Sequence, residues 1–126
     1  MATIMLVDDS PEVRRTIADC VLVGIPGDHK LLEAGKATDA FECLGSGTVD
    51  LIITELRFNQ GAMDGQRMID YIRIEDSNVP IIVVASVDDE SVLYEVRGAT
   101  RVFSKPFRIA ELTEAVASLL PSVPVK

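Results

Sequence analysis

The chain has 126 residues, 48% of them hydrophobic and 25% charged, and its 20 acidic side chains against 12 basic ones give a formal charge of −8. That length suits one domain able to bury about 68% of its unfolded surface, and the negative charge disfavours direct contact with nucleic acid. No apolar run reaches the roughly 20 residues of a membrane-spanning helix, so no membrane partner is expected; "MATIMLVDDS" lacks a basic leader and cleavage site, so the expected location is cytoplasmic.

The first apolar run, Thr3 to Val7, is continuous, as in a central parallel strand covered on both faces. It ends on Asp8 and Asp9. Ser10 and Pro11 then supply an N-cap and a proline at the first helical position, and Val13, Ile17, Cys20 and Val21 recur on one helical face until Gly24. The mixed run Lys30 to Ala34 suits an edge strand, with His29 expected at the surface before it, and Ala37 to Leu44 forms a short second helix. Cys20 and Cys43 have no CxxC spacing and are expected as reduced core cysteines, and a single histidine leaves little scope for a His-based metal site or a Ser-His-Asp triad.

A third run, Asp50 to Thr54, stops at Glu55, and a loop through Arg57 leads to Asp64 and Gly65. The helix from Gly65 to Glu75 turns Met68, Ile69 and Ile72 inward. Next come the run Pro80 to Ala85, then Ser86, a fourth helix from Asp88 to Gly98, and a fifth run from Arg101 to Phe103. After Lys105, Pro106 and Phe107, the helix Arg108 to Leu120 carries Ile109, Leu112, Val116, Leu119 and Leu120 at three- and four-residue steps, and Pro121 ends it. Residues 1–120 thus form one domain, and 121–126 a C-terminal tail or the start of a linker.

Strands and helices that alternate strictly imply right-handed crossovers and a doubly wound parallel sheet. Ligands of such sheets bind outside the carboxyl ends of the strands. Asp8 and Asp9 follow the first strand, Glu55 the third and Lys105 the fifth, so three carboxylates and one ammonium share that end. Acids placed so closely repel one another unless a cation sits among them. Magnesium suits such a set, since it takes one or two carboxylates together with a phosphate, and without a phosphate the lysine would neutralise a carboxylate.

At this point "MLVDDSPEVRR", "DLIITELRFNQGAMDG" and "SKPF", in this order and over nearly the whole chain, resemble the CheY-like receiver domains of two-component response regulators. The resemblance implies a flavodoxin-like (βα)5 sheet of strand order 2-1-3-4-5. It also implies transfer of a phosphoryl group from a histidine kinase to an aspartate with bound magnesium, and a switch hydroxyl and aromatic residue that expose a partner-binding face. Asp8 and Asp9 match the metal-binding acidic pair, Lys105 the lysine that contacts the phosphoryl group, and Glu55 the acceptor, with the backbone carbonyl of Arg57 as a further metal ligand.

Several positions depart from the family pattern. Glu55 replaces the acceptor aspartate and adds about 1.5 Å of reach, where a misplacement of about 1 Å can cost on the order of 100-fold in rate. Ala85 stands at the switch hydroxyl position with Ser86 one place later, Val102 stands at the aromatic switch position, and the loop after Glu55 is longer than usual and lacks Met-Pro. Together they point to a pseudo-receiver, a phosphorylation-independent module for protein-protein interaction in which Glu55 reaches Lys105 and magnesium binds weakly or not at all. The alternatives are a working magnesium-dependent receiver with an unusual acceptor and, further off, a magnesium-dependent phosphotransfer enzyme whose acids would follow in the reverse order.

The expected partner is a histidine kinase, or an output protein or domain, meeting the face made by the fourth helix, fifth strand and fifth helix; Tyr94, Arg97 and Arg101 offer an aromatic and two cations there. A homodimer is left open, and any output would come from a partner or from beyond Lys126.

Overall fold

The computed structural model describes residues 2–56, 65–85 and 96–120. Its strands are β1 (Ala2–Val7), β2 (His29–Ala34), β3 (Leu51–Thr54), β4 (Ile81–Ala85) and β5 (Arg101–Ser104). All pair in parallel, in the order β2-β1-β3-β4-β5. The helices are α1 (Pro11–Gly24), α2 (Ala37–Gly45), α3 (Gly65–Glu75) and α4 (Ile109–Leu119). The last is the fifth helix expected from the sequence; the expected fourth, Asp88 to Gly98, lies outside the described residues apart from its end. The fold is the flavodoxin-like one, with β2 at an edge as its mixed composition implied.

The continuous apolar runs divide their side chains between two helical layers because successive residues of a strand point to opposite faces. Met5, Val7, Ile52, Ile81 and Val83 meet Ala40 of α2 and Met68, Ile69 and Ile72 of α3. Ile4, Leu6, Leu51, Ile53, Ile82 and Val84 meet Ile17 and Val21 of α1 and Leu112, Ala115 and Val116 of α4. Each fully buried leucine or isoleucine contributes about 2 kcal/mol, so these two half-cores outweigh any single polar contact.

The ends of the elements follow from local chemistry. The Ser10 hydroxyl accepts the amide of Val13 at 3.3 Å and caps α1, with Pro11 opening the helix. Gly65 must be glycine: a Cβ there would lie 2.4 Å from the carbonyl oxygen of Leu56 and 2.6 Å from its Cα. On α3, the Gln66 side-chain amide pairs reciprocally with the backbone of Arg97, at 3.0 and 3.1 Å, and the Arg73 guanidinium donates to the carbonyls of Gly98 at 2.9 Å and Val79 at 2.7 Å. These bonds tie the approach to β5, and hence the placement of Lys105, to α3.

Some burial differs from the sequence pattern. Ile109, expected inward, is 57% exposed, because it opens α4 and the packed stripe of that helix begins one turn later at Leu112. Val13, Leu119 and Leu120 are half-buried, at the margins of their helix contacts. Cys20 is buried, and Cys43 is half-buried but packs against the α2–α3 half-core. His29, expected at the surface before β2, is half-buried and opens that strand, its Nε2 3.1 Å from the carbonyl oxygen of Pro26. Among the described residues no helix is long and apolar enough to cross a membrane.

Candidate functional site

The site residues are held by continuation of the parallel ladder one residue beyond each strand. The Asp8 amide donates to the Ala34 carbonyl at 3.1 Å, the Glu55 amide to Val7 at 2.8 Å, and the Lys105 amide to Ala85 at 2.8 Å. Their backbones are therefore fixed by neighbouring strands, and the three side chains leave the sheet at its carboxyl end, where the sequence placed them.

Lys105 joins the other two. Its Nζ donates to Asp8 Oδ2 at 2.9 Å and to Glu55 Oε2 at 2.5 Å. The remaining oxygens are used as well: Asp8 Oδ1 accepts the Ser10 amide at 2.8 Å, and Glu55 Oε1 accepts the Leu56 amide at 2.7 Å. Asp8 and Glu55 are each 3% exposed, so both carboxylates are removed from water and depend on these bonds. Burial raises the Asp8 carboxyl above its ordinary value, and the bonds from Lys105 and Ser10 offset only part of that. Burial lowers the Lys105 ammonium, but hydrogen bonds to Glu55 and Asp8 outweigh it and the net direction is upward. The ammonium is thus held charged by the two acids it separates.

Arg14 was not among the residues singled out in the sequence. Its Nη1 donates to the carbonyl oxygen of Asp8 and its Nε to Glu33 Oε1 at 3.2 Å, so it fixes the start of the β1–α1 loop against β2. An arginine six residues past an acid carries no local signal of such a contact, which depends on the β2 register. Thr54, buried beneath the site, donates its hydroxyl to the Glu55 carbonyl at 2.9 Å.

Of the expected metal ligands, Asp8 and Glu55 face each other across Lys105. Each of the four carboxylate oxygens of Asp8 and Glu55 accepts a hydrogen bond and keeps a further lone pair, so a cation would share these carboxylates with the Lys105 ammonium. Among the described residues no three His, Cys, Asp or Glu side chains converge as a metal-holding group. Asp9 follows Asp8 at half exposure, and Arg57, whose carbonyl was the further expected ligand, lies outside the described residues. So do Ser86 and Tyr94. Ala85 is fully buried, its carbonyl occupied by Lys105, and Val102 is partly buried against the α2–α3 half-core.

The family profile of the response regulator receiver domain matches residues 4–117. Sporulation initiation phosphotransferase F of Bacillus subtilis is 24% identical over 120 residues, covering 94% of this chain and 93% of that protein. The response regulator protein FleR of Pseudomonas aeruginosa is 26% identical over 118 residues, covering 92% of this chain but only 24% of FleR. The chain therefore spans about a quarter of one such relative and nearly all of another. Among solved structures, the response regulator TrrA of Thermotoga maritima in complex with Mg(2+)-BeF superimposes with a TM-score of 0.82 at 23% identity, covering 95% of this chain and all of that one. Chemotaxis response regulator CheY4 of Vibrio cholerae gives a TM-score of 0.78 at 22% identity, with 95% and 99% covered.

Proposed function

The chain belongs to the response regulator receiver family, a module of two-component signalling, and from that premise we propose that it is a pseudo-receiver acting in protein-protein interaction without phosphorylation. The observation that carries this reading is the Lys105 ammonium already seated between Asp8 and Glu55. In the family that lysine meets the incoming phosphoryl group; here the longer side chain of Glu55 meets it first, and a charge-assisted link of this kind makes a standing connection between the third and fifth strands. The departures at Ala85 and Val102 support a scaffold held in one state, since neither side chain has the hydroxyl or ring that couples the site to the output face. The partner would be a histidine kinase or an output protein or domain, bound on the face that includes β5 and α4.

A working receiver remains the second reading, favoured by one observation: Asp8 and Lys105 keep the positions of the family's acid and lysine at 2.9 Å. Titration of magnesium and then beryllium fluoride, followed by NMR in the wild type and in Glu55→Asp, separates the two. The pseudo-receiver is expected to give no saturable shifts in the wild type, whether or not the variant responds. A wild type that takes up both and shifts signals along β5 and α4 would overturn the proposal.

A further inference from the structure

At the amino ends of β3 and β4, at the opposite end of the sheet from Lys105, a groove of about 740 Å³ opens between α2 and α3. Phe41 and Leu44 of α2, Val49 and Val79 ahead of the two strands, and Tyr71 and Ile72 of α3 give it an apolar lining. The volume falls within the range of about 300–1,000 Å³ in which bound groups lose most of their contact with water. Tyr71 is 55% exposed although its ring meets Phe41 edge-on with centroids 5.8 Å apart, so aromatic surface stands uncovered at the mouth.

The charged lining has a single sign. Glu75 and Asp76 line the groove, and no lysine, arginine or histidine does so among the described residues. Asp76 keeps its carboxylate in place by accepting the amides of Asn78 and Val79 at 2.8 and 3.0 Å, while Glu75 is exposed. Arg73, the cation nearest in sequence, donates to the carbonyls of Gly98, Val79 and Asp76 and its charge also acts on the Asp76 carboxylate, which leaves exposed Glu75 as the acid most open to an incoming cation. Aromatic ring faces and carboxylates both attract cations, and the apolar floor asks for a bulky hydrocarbon beside that charge.

We propose that this groove docks a basic segment of a partner protein, which inserts a large apolar side chain between Phe41 and Tyr71 and sets a neighbouring arginine or lysine against Glu75 and Asp76. A peptide fits better than a free small molecule because the groove runs between two helices and is open to solvent along one side, the geometry in which a segment anchors successive side chains. The docking surface is independent of the state of Glu55, which lies at the other end of β3.

The test titrates the isotope-labelled full chain with two synthetic peptides, one a leucine-arginine repeat and the other its counterpart with glutamate for arginine. The basic peptide is expected to give saturable NMR shifts confined to the amides around Phe41, Leu44, Tyr71 and Glu75, and the acidic peptide none. Glu75→Lys, at an exposed position, is expected to weaken the basic peptide roughly fivefold with the thermal midpoint unchanged. Tyr71→Ser is expected to weaken it as well. Equal response to both peptides, shifts centred on Asp8 and Lys105, or an unchanged affinity in Glu75→Lys would overturn the proposal. Hexylamine binding as tightly as the basic peptide would assign the groove to a small organic cation and overturn it too.

Discussion

At the carboxyl ends of the strands Asp8 and Glu55 are buried with Lys105 between them, whereas at the amino ends Glu75 and Asp76 stand in solvent beside a half-exposed Tyr71. Buried charge is tolerated only with a partner, so the first end has completed its polar bonds internally. Exposed charge costs little to keep, but uncovered aromatic surface gains from being covered. The first end should therefore respond to changes made inside the chain, the second to what arrives from outside.

Lys105→Met is the sharpest way to break this contrast. It leaves two buried carboxylates without their cation and is expected to cost about 3 kcal/mol at neutral pH, measured by urea unfolding. The cost should shrink in acid, as Asp8 takes up a proton at its raised folded pKa, above 3.8. In alkali the wild type carries its own signature. The Lys105 pKa is raised on folding, so its contribution is fully present below 10.5 and is lost as pH rises through the higher folded value; Lys105→Met should lack that alkaline fall. An unfolding free energy that falls equally in both proteins above pH 10.5 would disprove this assignment.

Gly65→Ala comes next. The new methyl would press on the backbone of Leu56 and Glu55, which cannot give way as a flexible side chain can, and about 2 kcal/mol of destabilisation is expected, with displaced amide signals at Glu55 and Lys105. Gln66→Ala removes the reciprocal pair with Arg97 and should cost about 1 kcal/mol in urea unfolding, with faster amide exchange at Arg97. The smallest effect belongs to the amino end: Tyr71→Ser loses one edge-on contact with Phe41 and is expected to lower stability by about 0.5 kcal/mol, measured the same way. A loss above that of Gly65→Ala would show that the groove is part of the core rather than an open surface.

The sequence carried the sheet and the principal residues of the acid cluster because both rest on short-range signals. Continuous apolar runs marked β1, β3 and β4, Ser10-Pro11 marked the start of α1, and the bounds of α3 coincide with those the pattern implied. Asp8, Glu55 and Lys105 were legible because each ends a strand, and strand ends converge in a doubly wound sheet. Arg14, Gln66 and Arg73 were not, because their bonds run to backbone carbonyls or amides set by tertiary packing, which leaves no local pattern. Ile109 was misplaced because helical periodicity says which side a residue faces and not where along the helix its neighbour begins. The groove is not legible in the sequence for a related reason: Phe41, Tyr71 and Val79 have the pattern of ordinary core residues, and only the gap between α2 and α3 distinguishes them.

The Lys105 bridge spans 97 residues of chain to Asp8 and 50 to Glu55, which gives it a place in time as well as in space. Closing loops of that length costs entropy before any contact rewards it, so the ammonium reaches the acids only after β5 has been laid against β4. The bridge is then a latch that shuts once the sheet is assembled, and it governs how long the folded chain persists more than how quickly it forms. In a chevron experiment Lys105→Met should leave the refolding arm on that of the wild type and raise the unfolding arm alone.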